Sequence, residues 1–359
     1  MKTDSPLISI ILPCYNVQSF LDTALTSVLN QNYTNWECIL VDDGSQDNTA
    51  SIISNWLDKD KRFKSIFQEN KGLSGARNTG LKKAIGDYIY FFDPDDLIAD
   101  NTLQDLLNLA LTNPNVDIVI GKNAIVEGQN KVIKSYLTHN EKVEEEILNQ
   151  NKQLLKLAIE KDIICVAWNK LYRKTFLDKN NLEFKKGILH EDELWFFETL
   201  YYAQSVIFNT NATYFYNVAN ANSITSKFKV KNLISYLTIV TIVYNKYLNK
   251  ITNKQDQQMV GNYFVHLKIK TIVHCYKQLS KQDKKATKNE ILSTFNSLEN
   301  TLNNPELLSI DHKQLHKKFK IISVLDLDNQ LKYLRYFQSK KLGRRIKKNL
   351  LYNLAKFKS

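Results

Sequence analysis

With 359 residues, of which 43% are hydrophobic, the chain can bury a full core and is expected to hold more than one structural unit. Its net charge of +12 is uneven, because residues 227–359 hold 27 Lys and Arg against 8 Asp and Glu, whereas residues 1–226 hold 22 against 29. The basic region 227–359 should be attracted to an anionic surface. No basic motif of a nucleic-acid module appears, so we exclude nucleic acid and expect an acidic lipid surface.

The sequence also predicts a cytoplasmic location. The first six residues are polar, and the apolar run at 7–12 is too short for a signal peptide. No stretch is long enough to cross a bilayer. The four cysteines are far apart and form no CxxC pair, which favours buried thiols in a reducing compartment over disulfides or zinc ligands.

Short apolar runs alternate with segments of helical apolar spacing over the first 120 residues. Strands are predicted at 7–12, 37–41, 63–67, 88–92 and 116–120. Helices are predicted at 21–29, from about 47 to 56, and at 103–111, and a further helix is predicted to end near residue 85. This alternation predicts βαβ units joined by right-handed crossovers, and hence an α/β fold with a mostly parallel central sheet.

The later part of the chain has a different pattern. Residues 128–151 are polar and predict a loop or hairpin, and 154–159 predict a short helix. Leu194, Phe197 and Leu200 share one face of a helix that begins with acids. From residue 231 onward the apolar spacing is helical, with many Lys and Asn.

Carboxylates follow two of the predicted strands. The run at 88–92 has no polar alternation, so it predicts a strand buried on both faces that ends at Asp93, Asp95 and Asp96. In open α/β sheets ligands bind at the carboxyl ends of the strands. Three crowded carboxylates repel one another unless a positive charge neutralises them. A divalent cation that also binds an anionic ligand would supply that charge. The alternative is a solvated turn with an Asp helix cap.

The second pair of acids, Asp42 and Asp43, ends the second strand. It would lie on the same rim of the sheet as the first group, and this coincidence is more informative than either cluster alone. The alternative for this pair is an Asx turn before a helix, with Gly44 supplying the bend.

Six short motifs occur in an order that resembles the family-two glycosyltransferases of the GT-A fold, bacterial enzymes that build capsule, lipopolysaccharide and exopolysaccharide. The motifs are Ile10-Ile-Leu-Pro-Cys-Tyr-Asn16, Val41-Asp-Asp-Gly-Ser45, Asn70-Lys-Gly-Leu-Ser-Gly-Ala-Arg-Asn78, Tyr90-Phe-Phe-Asp-Pro-Asp-Asp96, Trp168-Asn-Lys-Leu-Tyr172 and His190-Glu-Asp-Glu193. The resemblance covers roughly residues 6–226.

The resemblance implies a GT-A glycosyltransferase domain over residues 1–226. Within it, residues 1–121 would form the nucleotide-sugar half and residues 122–226 the acceptor-side half. A helical basic C-terminal region over 227–359 would follow, in which no family is recognised.

For the donor, the resemblance implies a UDP-sugar. Pro13 and Tyr15 would line the uridine pocket, and Asp43 would accept a hydrogen bond from the uracil N–H. Asp42 would contact the base or ribose. Arg77 would reach the base or the diphosphate, and its alternative is an exposed helix arginine. Lys71 is a weaker candidate for the same contact.

The segment Asp93-Pro94-Asp95 corresponds to the DxD element of the family. Asp95 would bind Mn²⁺ or Mg²⁺ directly, and Asp93 would contact the ribose or a metal-bound water. Asp96 would cap the next helix or hold the donor sugar, and no contact is expected from Pro94. The cation would bridge to the diphosphate and neutralise charge on the departing UDP.

Asp192 is the expected general base and Glu191 would orient it or hold the acceptor. The alternative is that both acids only begin a helix, where the dipole favours them. His190 is expected to be a packing or hydrogen-bonding neighbour.

For the acceptor, Trp168 would stack on a sugar face, with Asn169 and Lys170 binding hydroxyls or phosphate. An aromatic residue before a polar pair is also common in plain cores.

The sequence departs from the family at one segment. Many relatives carry arginines where this chain has Asn217 and Ala219 or Asn220. If that segment closes over the diphosphate, this site has less positive charge there, and Lys227 or Lys229 could compensate.

The C-terminal tail predicts contact with a membrane surface. Residues 331–359 contain ten Lys and Arg and no acid, with apolar residues four apart at Leu342, Ile346, Leu350 and Leu354. A basic amphipathic helix of this kind is typical of an interfacial anchor, which suits a peripheral position at the inner face of the cytoplasmic membrane. The alternative is a packing helix with a solvated charged face.

The sequence thus predicts an inverting, metal-dependent glycosyltransferase that moves a sugar from UDP to a glycan or lipid-linked glycan. Two alternatives stay open. One is a non-catalytic GT-A-like scaffold of a polysaccharide assembly complex. The other is a nucleotidyltransferase, which would carry a Gly-rich phosphate loop where Pro13-Cys-Tyr-Asn16 follows the first strand.

Overall fold

The structure is a computed structural model that describes residues 5–127, 131–136, 148–149, 153–160, 163–218, 229–271 and 275–302. The chain divides into two compact units. One comprises residues 1–187 and 191–226, and the other comprises residues 188–190 and 227–359. The tail at 331–359 and residues 219, 220 and 227, for which the sequence made predictions, lie outside the described residues.

One mixed but mostly parallel sheet organises the first unit. Within the described residues its ten strands are β1 (Ile8–Cys14), β2 (Trp36–Asp42), β3 (Phe63–Phe67), β4 (Tyr88–Phe91), β5 (Leu97–Ile98), β6 (Ile118–Glu127), β7 (Lys131–Tyr136), β8 (Leu148–Asn149), β9 (Lys170–Arg173) and β10 (Ser205–Asn217). The order is β3-β2-β1-β4-β9-β6-β10-β5, with β7 on β6 and β8 on β10. Strands β3, β2, β1 and β4 are parallel to one another, as are β6 and β10.

Helices cover this sheet. In the first unit they are α1 (Leu21–Leu29), α2 (Thr49–Lys59), α3 (Gly72–Lys83), α4 (Thr102–Thr112), α5 (Gln153–Glu160), α6 (Lys174–Lys179) and α7 (Glu191–Tyr202). Strand β4 is buried along its whole length, as its unbroken apolar run predicts, and β1 and β2 are buried in the same way. The α/β prediction with a mostly parallel sheet is therefore confirmed.

Gly80 shows how closely α3 packs on the sheet. A Cβ at this position would lie 2.4 Å from Ile11 Cγ2, so only glycine lets the helix approach β1 this closely. The close approach brings the side chains of α3 to the carboxyl ends of β1 and β2.

An aromatic cluster fixes α7 beneath the end of β4. Phe91 meets Tyr172, Phe184 and Trp195 edge-on, with ring centroids 5.1–5.9 Å apart. Phe184 also stacks on Trp195, with centroids 4.1 Å apart. Edge-to-face and stacked rings add orientation-dependent stabilisation to the apolar area that they bury. This packing determines where the first turn of α7 lies.

The second unit is helical in its described residues, with α8 (Val230–Ile242), α9 (Lys254–Lys270) and α10 (Lys281–Leu302). Helix α8 continues into a π-helical turn at Val243–Tyr247. His190 belongs to this unit, where its Nε2 lies 2.9 Å from Asn232 Nδ2 and its ring contacts Tyr236. It is a hydrogen-bonding and packing residue, as expected.

Four strands were not predicted, namely β5, β8, β9 and β10. Strands β5 and β9 have only two and four residues, too few for a periodic signal. Strand β10 carries two register shifts against β6, between Phe208 and Tyr214, and exposes its polar middle. Such bulges break the alternation that identifies a strand. Strand β7 forms the hairpin partner of β6 within the region predicted as loop or hairpin.

Candidate active site

Three parallel strands end at one edge of the sheet and bring most of the predicted donor-side residues there. Strand β1 pairs Cys14 with Asp42 of β2, and pairs Ile11 with Phe91 of β4. Tyr15 follows β1 and is half exposed, whereas Pro13 lies within the strand and is buried. The edge therefore combines an exposed aromatic ring with the acids that follow β2 and β4.

Asp42 and Asp43 have different surroundings. Asp42 Oδ1 accepts a hydrogen bond from the Ser45 backbone N–H at 2.9 Å, which is the Asx turn considered as an alternative. Asp43 Oδ1 accepts from Gln68 Nε2 at 2.6 Å and from the Lys71 backbone N–H at 2.8 Å. Lys71 contacts Asp43 through its backbone N–H, and its side chain is exposed. Gly44, with φ +78°, supplies the bend between these acids and Ser45.

Arg77 contacts three carboxylates and is fully buried. Its Nη1 donates to Glu191 Oε1 at 2.9 Å and to Asp192 Oδ1 at 2.7 Å, and its Nη2 donates to Asp93 Oδ1 at 2.9 Å. We call these four residues the Arg77 cluster. The arginine was expected at the base or diphosphate, or in solvent, but its guanidinium instead joins an acid after β4 to two acids on α7.

The charges within the Arg77 cluster are strongly perturbed. Burial by itself lowers the pKa of Arg77, but the carboxylates of Asp192, Asp93 and Glu191 raise it overall. Burial and the neighbouring Asp192 raise the pKa of Glu191 to about 7. Burial raises the pKa of Asp192, although Arg77 opposes this shift. One arginine faces three acids, so the two acids on α7 bind a proton more readily than exposed carboxyl groups do.

Asp96 is fully engaged by the protein. Its Oδ2 accepts from the Tyr214 hydroxyl at 2.6 Å, and its Oδ1 accepts from the Asn217 backbone N–H at 2.8 Å. Burial, Asp95 and Asp93 raise its pKa. Asp96 therefore ties the end of β10 to the turn after β4, and it does not cap the next helix, because α4 begins after Asn101. Asn217, noted as an arginine replacement, contributes its backbone to this contact.

The remaining acids of the turn suit a cation that is shared with a ligand. Among the described residues, no group of three His, Cys, Asp or Glu side chains is arranged to hold a metal ion. Asp93 and Asp95 are only half-buried at the strand end. Proteins commonly bind Mg²⁺ through one or two carboxylates, and phosphate oxygens of the substrate supply further ligands. Asp93 and Asp95 fit that kind of site rather than one in which the protein supplies every ligand.

The predicted acceptor residues are packed in the core. Trp168 stacks on Tyr214 and Tyr216, with ring centroids 4.3 and 5.6 Å apart. Asn169 is 1% exposed and accepts from the Thr213 hydroxyl at 2.9 Å. Lys170 is 2% exposed, and its Nζ donates to Val166 O at 2.6 Å. This burial favours a structural role for the three residues over the acceptor contacts that we expected.

Two residues of the site were missed in the sequence. Gln68 holds Asp43, and Tyr214 holds Asp96 while its Oη also accepts from the Asp93 backbone N–H at 3.4 Å. Gln68 has no local signal, because a single glutamine after a strand is ordinary. Tyr214 lies in the unpredicted strand β10, so its place in the fold was unknown.

The fold and the acids at the carboxyl edge of the sheet are those of a GT-A glycosyltransferase. Comparison with known proteins agrees with this class. Residues 9–180 match the family model described as Glycosyl transferase family 2. An uncharacterized glycosyltransferase of Haemophilus influenzae is 38% identical over 228 residues, which cover 62% of this chain and 84% of that protein. The chain therefore belongs to glycosyltransferase family 2.

Two further relatives come from Staphylococcus aureus. The poly(ribitol-phosphate) beta-N-acetylglucosaminyltransferase TarP is 30% identical over 271 residues, covering 72% of this chain and 79% of TarP. The crystal structure of TarS 1-349 in complex with UDP-GlcNAc has a TM-score of 0.72 and 19% identity, and the match covers 93% of each chain. At this identity the TarS likeness shows the shared fold.

Proposed function

We propose that this family-two member is an inverting glycosyltransferase that moves a sugar from a UDP-sugar to a hydroxyl of a growing bacterial surface glycan. The observation that carries the proposal is the Arg77 cluster. It joins Asp93, at the donor edge of the sheet, to Glu191 and Asp192, which lie 114 and 115 residues beyond Arg77 in the chain. TarP, by its name, is a beta-N-acetylglucosaminyltransferase that acts on poly(ribitol-phosphate), which supports a polymer acceptor and a β-linked product.

Asp192 is the proposed general base. It lies in the first turn of α7, where burial and the nearby Asp93 raise its pKa and the positive charges of Arg77 and Lys170 oppose that rise. These two positive charges favour the ionised carboxylate that a base needs. Burial and the neighbouring Asp192 raise the pKa of Glu191, so it suits an orienting or acceptor-binding role better than that of a second base.

The proposed reaction is a single displacement at the anomeric carbon of the donor. The acceptor oxygen forms a bond to that carbon while the bond from the carbon to UDP breaks, and the electron pair leaves with UDP. The proton of the acceptor hydroxyl goes to Asp192. Attack from the face opposite UDP turns an α-linked donor into a β-linked product.

On the donor side, we propose that Pro13, Tyr15 and Asp43 bind the uridine and that Asp42 contributes through the turn that it stabilises. A cation, Mn²⁺ or Mg²⁺, would be held by Asp95 with support from Asp93, and when bound it supplies Lewis-acid stabilisation of the leaving UDP. We propose that Arg77 positions the three acids of the Arg77 cluster and does not bind the diphosphate. We also propose a peripheral position at the inner face of the cytoplasmic membrane, through the basic tail.

The central test is a screen of UDP-sugars by hydrolysis and by thermal shift in the presence of Mn²⁺. A donor that binds should raise the unfolding temperature, since a ligand of the folded state stabilises it. Asp192→Asn should lower transfer by roughly 10²- to 10⁴-fold, the usual contribution of a positioned base, while UDP binding is unchanged. Asp178→Asn, which alters an exposed acid paired with Lys174, is the matched control.

Three outcomes would contradict the proposal. Weak UDP binding by Asp192→Asn would place that residue in the donor site. Full activity of the same variant would exclude it as the base. No UDP binding and no hydrolysis with any donor would favour the non-catalytic scaffold.

A further inference from the structure

A chain of hydrogen bonds links α3 to Asp43 through Gln68. Thr79 Oγ1 lies 2.6 Å from Gln68 Oε1, and Gln68 Nε2 lies 2.6 Å from Asp43 Oδ1. The three residues come from α3, from the position after β3 and from the position after β2. We call this arrangement the Thr79–Gln68–Asp43 relay.

The direction of the relay is determined by chemistry. A carboxylate can only accept hydrogen bonds, so the amide NH₂ of Gln68 must face Asp43. The amide oxygen of Gln68 then faces Thr79, and the threonine hydroxyl must donate to it. A hydroxyl at position 79 is therefore needed to complete the relay.

The relay uses only one oxygen of Asp43. Gln68 Nε2 and the Lys71 backbone N–H both donate to Oδ1. In the part of the chain that the structure describes, no donor is recorded on Oδ2. Two bonds from separate elements hold the plane of the carboxylate, and Oδ2 is left to accept from a ligand.

Close backbone packing supports the same geometry. Gln68 and Asp43 are 7% and 3% exposed. A Cβ on Gly75 would lie 2.5 Å from the Cβ of Lys71, the N-cap residue of the same helix, and 3.8 Å from Gln68 Nε2, so this turn of α3 runs directly beside the Gln68 amide. The Gln68 backbone N–H also donates to Asp42 O at 2.9 Å. Asp43 therefore has little freedom to rotate or slide.

We propose that Thr79 and Gln68 are positioning residues that set the base preference of the nucleotide site by holding Asp43 so that Oδ2 accepts from an imide N–H. Uracil presents such a donor at N3, whereas cytosine presents a lone pair there that faces the carboxylate unfavourably. Cytosine could still donate from its amino group if the carboxylate shifted, and the relay resists that shift. A site built to hydrogen-bond a given group discriminates strongly against analogues that lack it. The inference rests on the proposed uridine-binding role of Asp43.

The test measures the affinity of the full chain for UDP and for CDP by calorimetry, with Mg²⁺ present. Thr79→Val keeps the shape of the side chain and removes the hydroxyl. We expect it to weaken UDP binding roughly 3- to 10-fold, as for one hydrogen bond, and to affect CDP less, so that the UDP:CDP preference falls. Thr79→Ser keeps the hydroxyl and should retain most of the preference. Thr112→Val, which changes an exposed threonine at the end of α4, is the matched control.

A packing role for Thr79 predicts the opposite order, because Thr79→Val would then bind UDP normally and Thr79→Ser would be the weaker variant. That result overturns the inference. Gln68→Leu provides a second variant, with the same expected fall in the UDP:CDP preference, if Thr79→Val does not fold.

Asp43→Ala separates this inference from the function on which it rests. Unchanged UDP binding by Asp43→Ala would overturn both. Loss of UDP binding by Asp43→Ala, together with an unchanged UDP:CDP preference in Thr79→Val, would overturn the relay alone.

Discussion

Arg77 is a buried cation that faces three acids, and a planar guanidinium is the side chain best suited to bind them at once. Its forked donors reach Glu191 and Asp192 from one nitrogen and Asp93 from the other. A buried charge must be paired, so the arginine and the acids require one another. The excess negative charge is relieved at Glu191, whose pKa is raised to about 7.

Lys170 provides a test of the electrostatics around the base. Burial raises the pKa of Asp192, while Arg77 and Lys170 lower it. Lys170→Met keeps the length of the side chain and removes its charge, so the pKa of Asp192 should rise. A general base acts when deprotonated, and activity is lost as the pH falls through its pKa. The acidic limb of the kcat–pH profile should therefore move to higher pH.

Lys174→Met is the control for that measurement, because Lys174 pairs with Asp178 on the surface. Its profile should match that of the unmodified protein. An unchanged acidic limb in Lys170→Met would show that Lys170 does not act on the base.

Asp95 provides a test of the cation. If this carboxylate holds a divalent ion shared with the diphosphate, Asp95→Ala should abolish the gain in UDP affinity that Mn²⁺ produces, as measured by calorimetry with and without the ion. Asp100→Ala, an exposed acid five residues further on, should keep the full gain. A persistent Mn²⁺ dependence in Asp95→Ala would mean that another residue binds the ion.

At the scale of elements, β10 is tied to the end of β4 by side chains that the sequence motifs did not explain. Tyr214 donates to Asp96 and stacks on Trp168, which in turn stacks on Tyr216. Trp168 therefore helps to hold the strand whose last residue, Asn217, binds Asp96. Packing of this element determines the shape of the turn that carries Asp93 and Asp95.

Gly121 in β6 lies where that packing is tightest. A Cβ there would lie 2.3 Å from both Asn169 Oδ1 and Thr213 Oγ1, so Gly121→Ala must displace a buried hydrogen-bonded pair. We expect the free energy of unfolding, measured in urea, to fall by about 1–3 kcal/mol, the usual cost of overpacking. Ser65→Ala, on the exposed side of β3, should change it by less than about 0.5 kcal/mol. Equal stability of Gly121→Ala would mean that the neighbours relax freely.

Several elements of the first unit were predicted closely from their local pattern. Helix α1 and strand β3 have the predicted bounds, and β1, β2 and β4 differ from them by one or two residues. Mostly apolar runs bounded by turn residues were sufficient to locate β1, β2 and β4. The short β9 and the bulged β10 pair through tertiary contacts, which leave little local pattern.

At the scale of the whole molecule, the excess positive charge lies in residues 227–359. Over the described residues, no helix combines the length and the apolar content that crossing a membrane requires. The proposed membrane association through the tail is electrostatic and interfacial.

Deletion of residues 331–359 tests that association, because the deletion removes ten positive charges and no negative one. We expect the full chain to float with liposomes that contain acidic lipid, to a lesser extent in high salt, and the shortened chain to lose this binding. Neutral liposomes are the control for non-electrostatic binding. Equal flotation of the two proteins with acidic liposomes would exclude the tail as the anchor.

The sequence by itself determined the fold class, the family and the sheet edge at which the acids gather, because strand periodicity and ordered motifs are local properties. Only the tertiary structure decided what each acid contacts. Arg77 meets residues 114 and 115 positions away, and Tyr214 meets Asp96 across 118 positions. Such pairs depend on how helices and strands pack, and no local pattern records them. Trp168, expected at a sugar face, packs in the core, and Gln68 donates a hydrogen bond to Asp43. Both contacts depend on the tertiary packing.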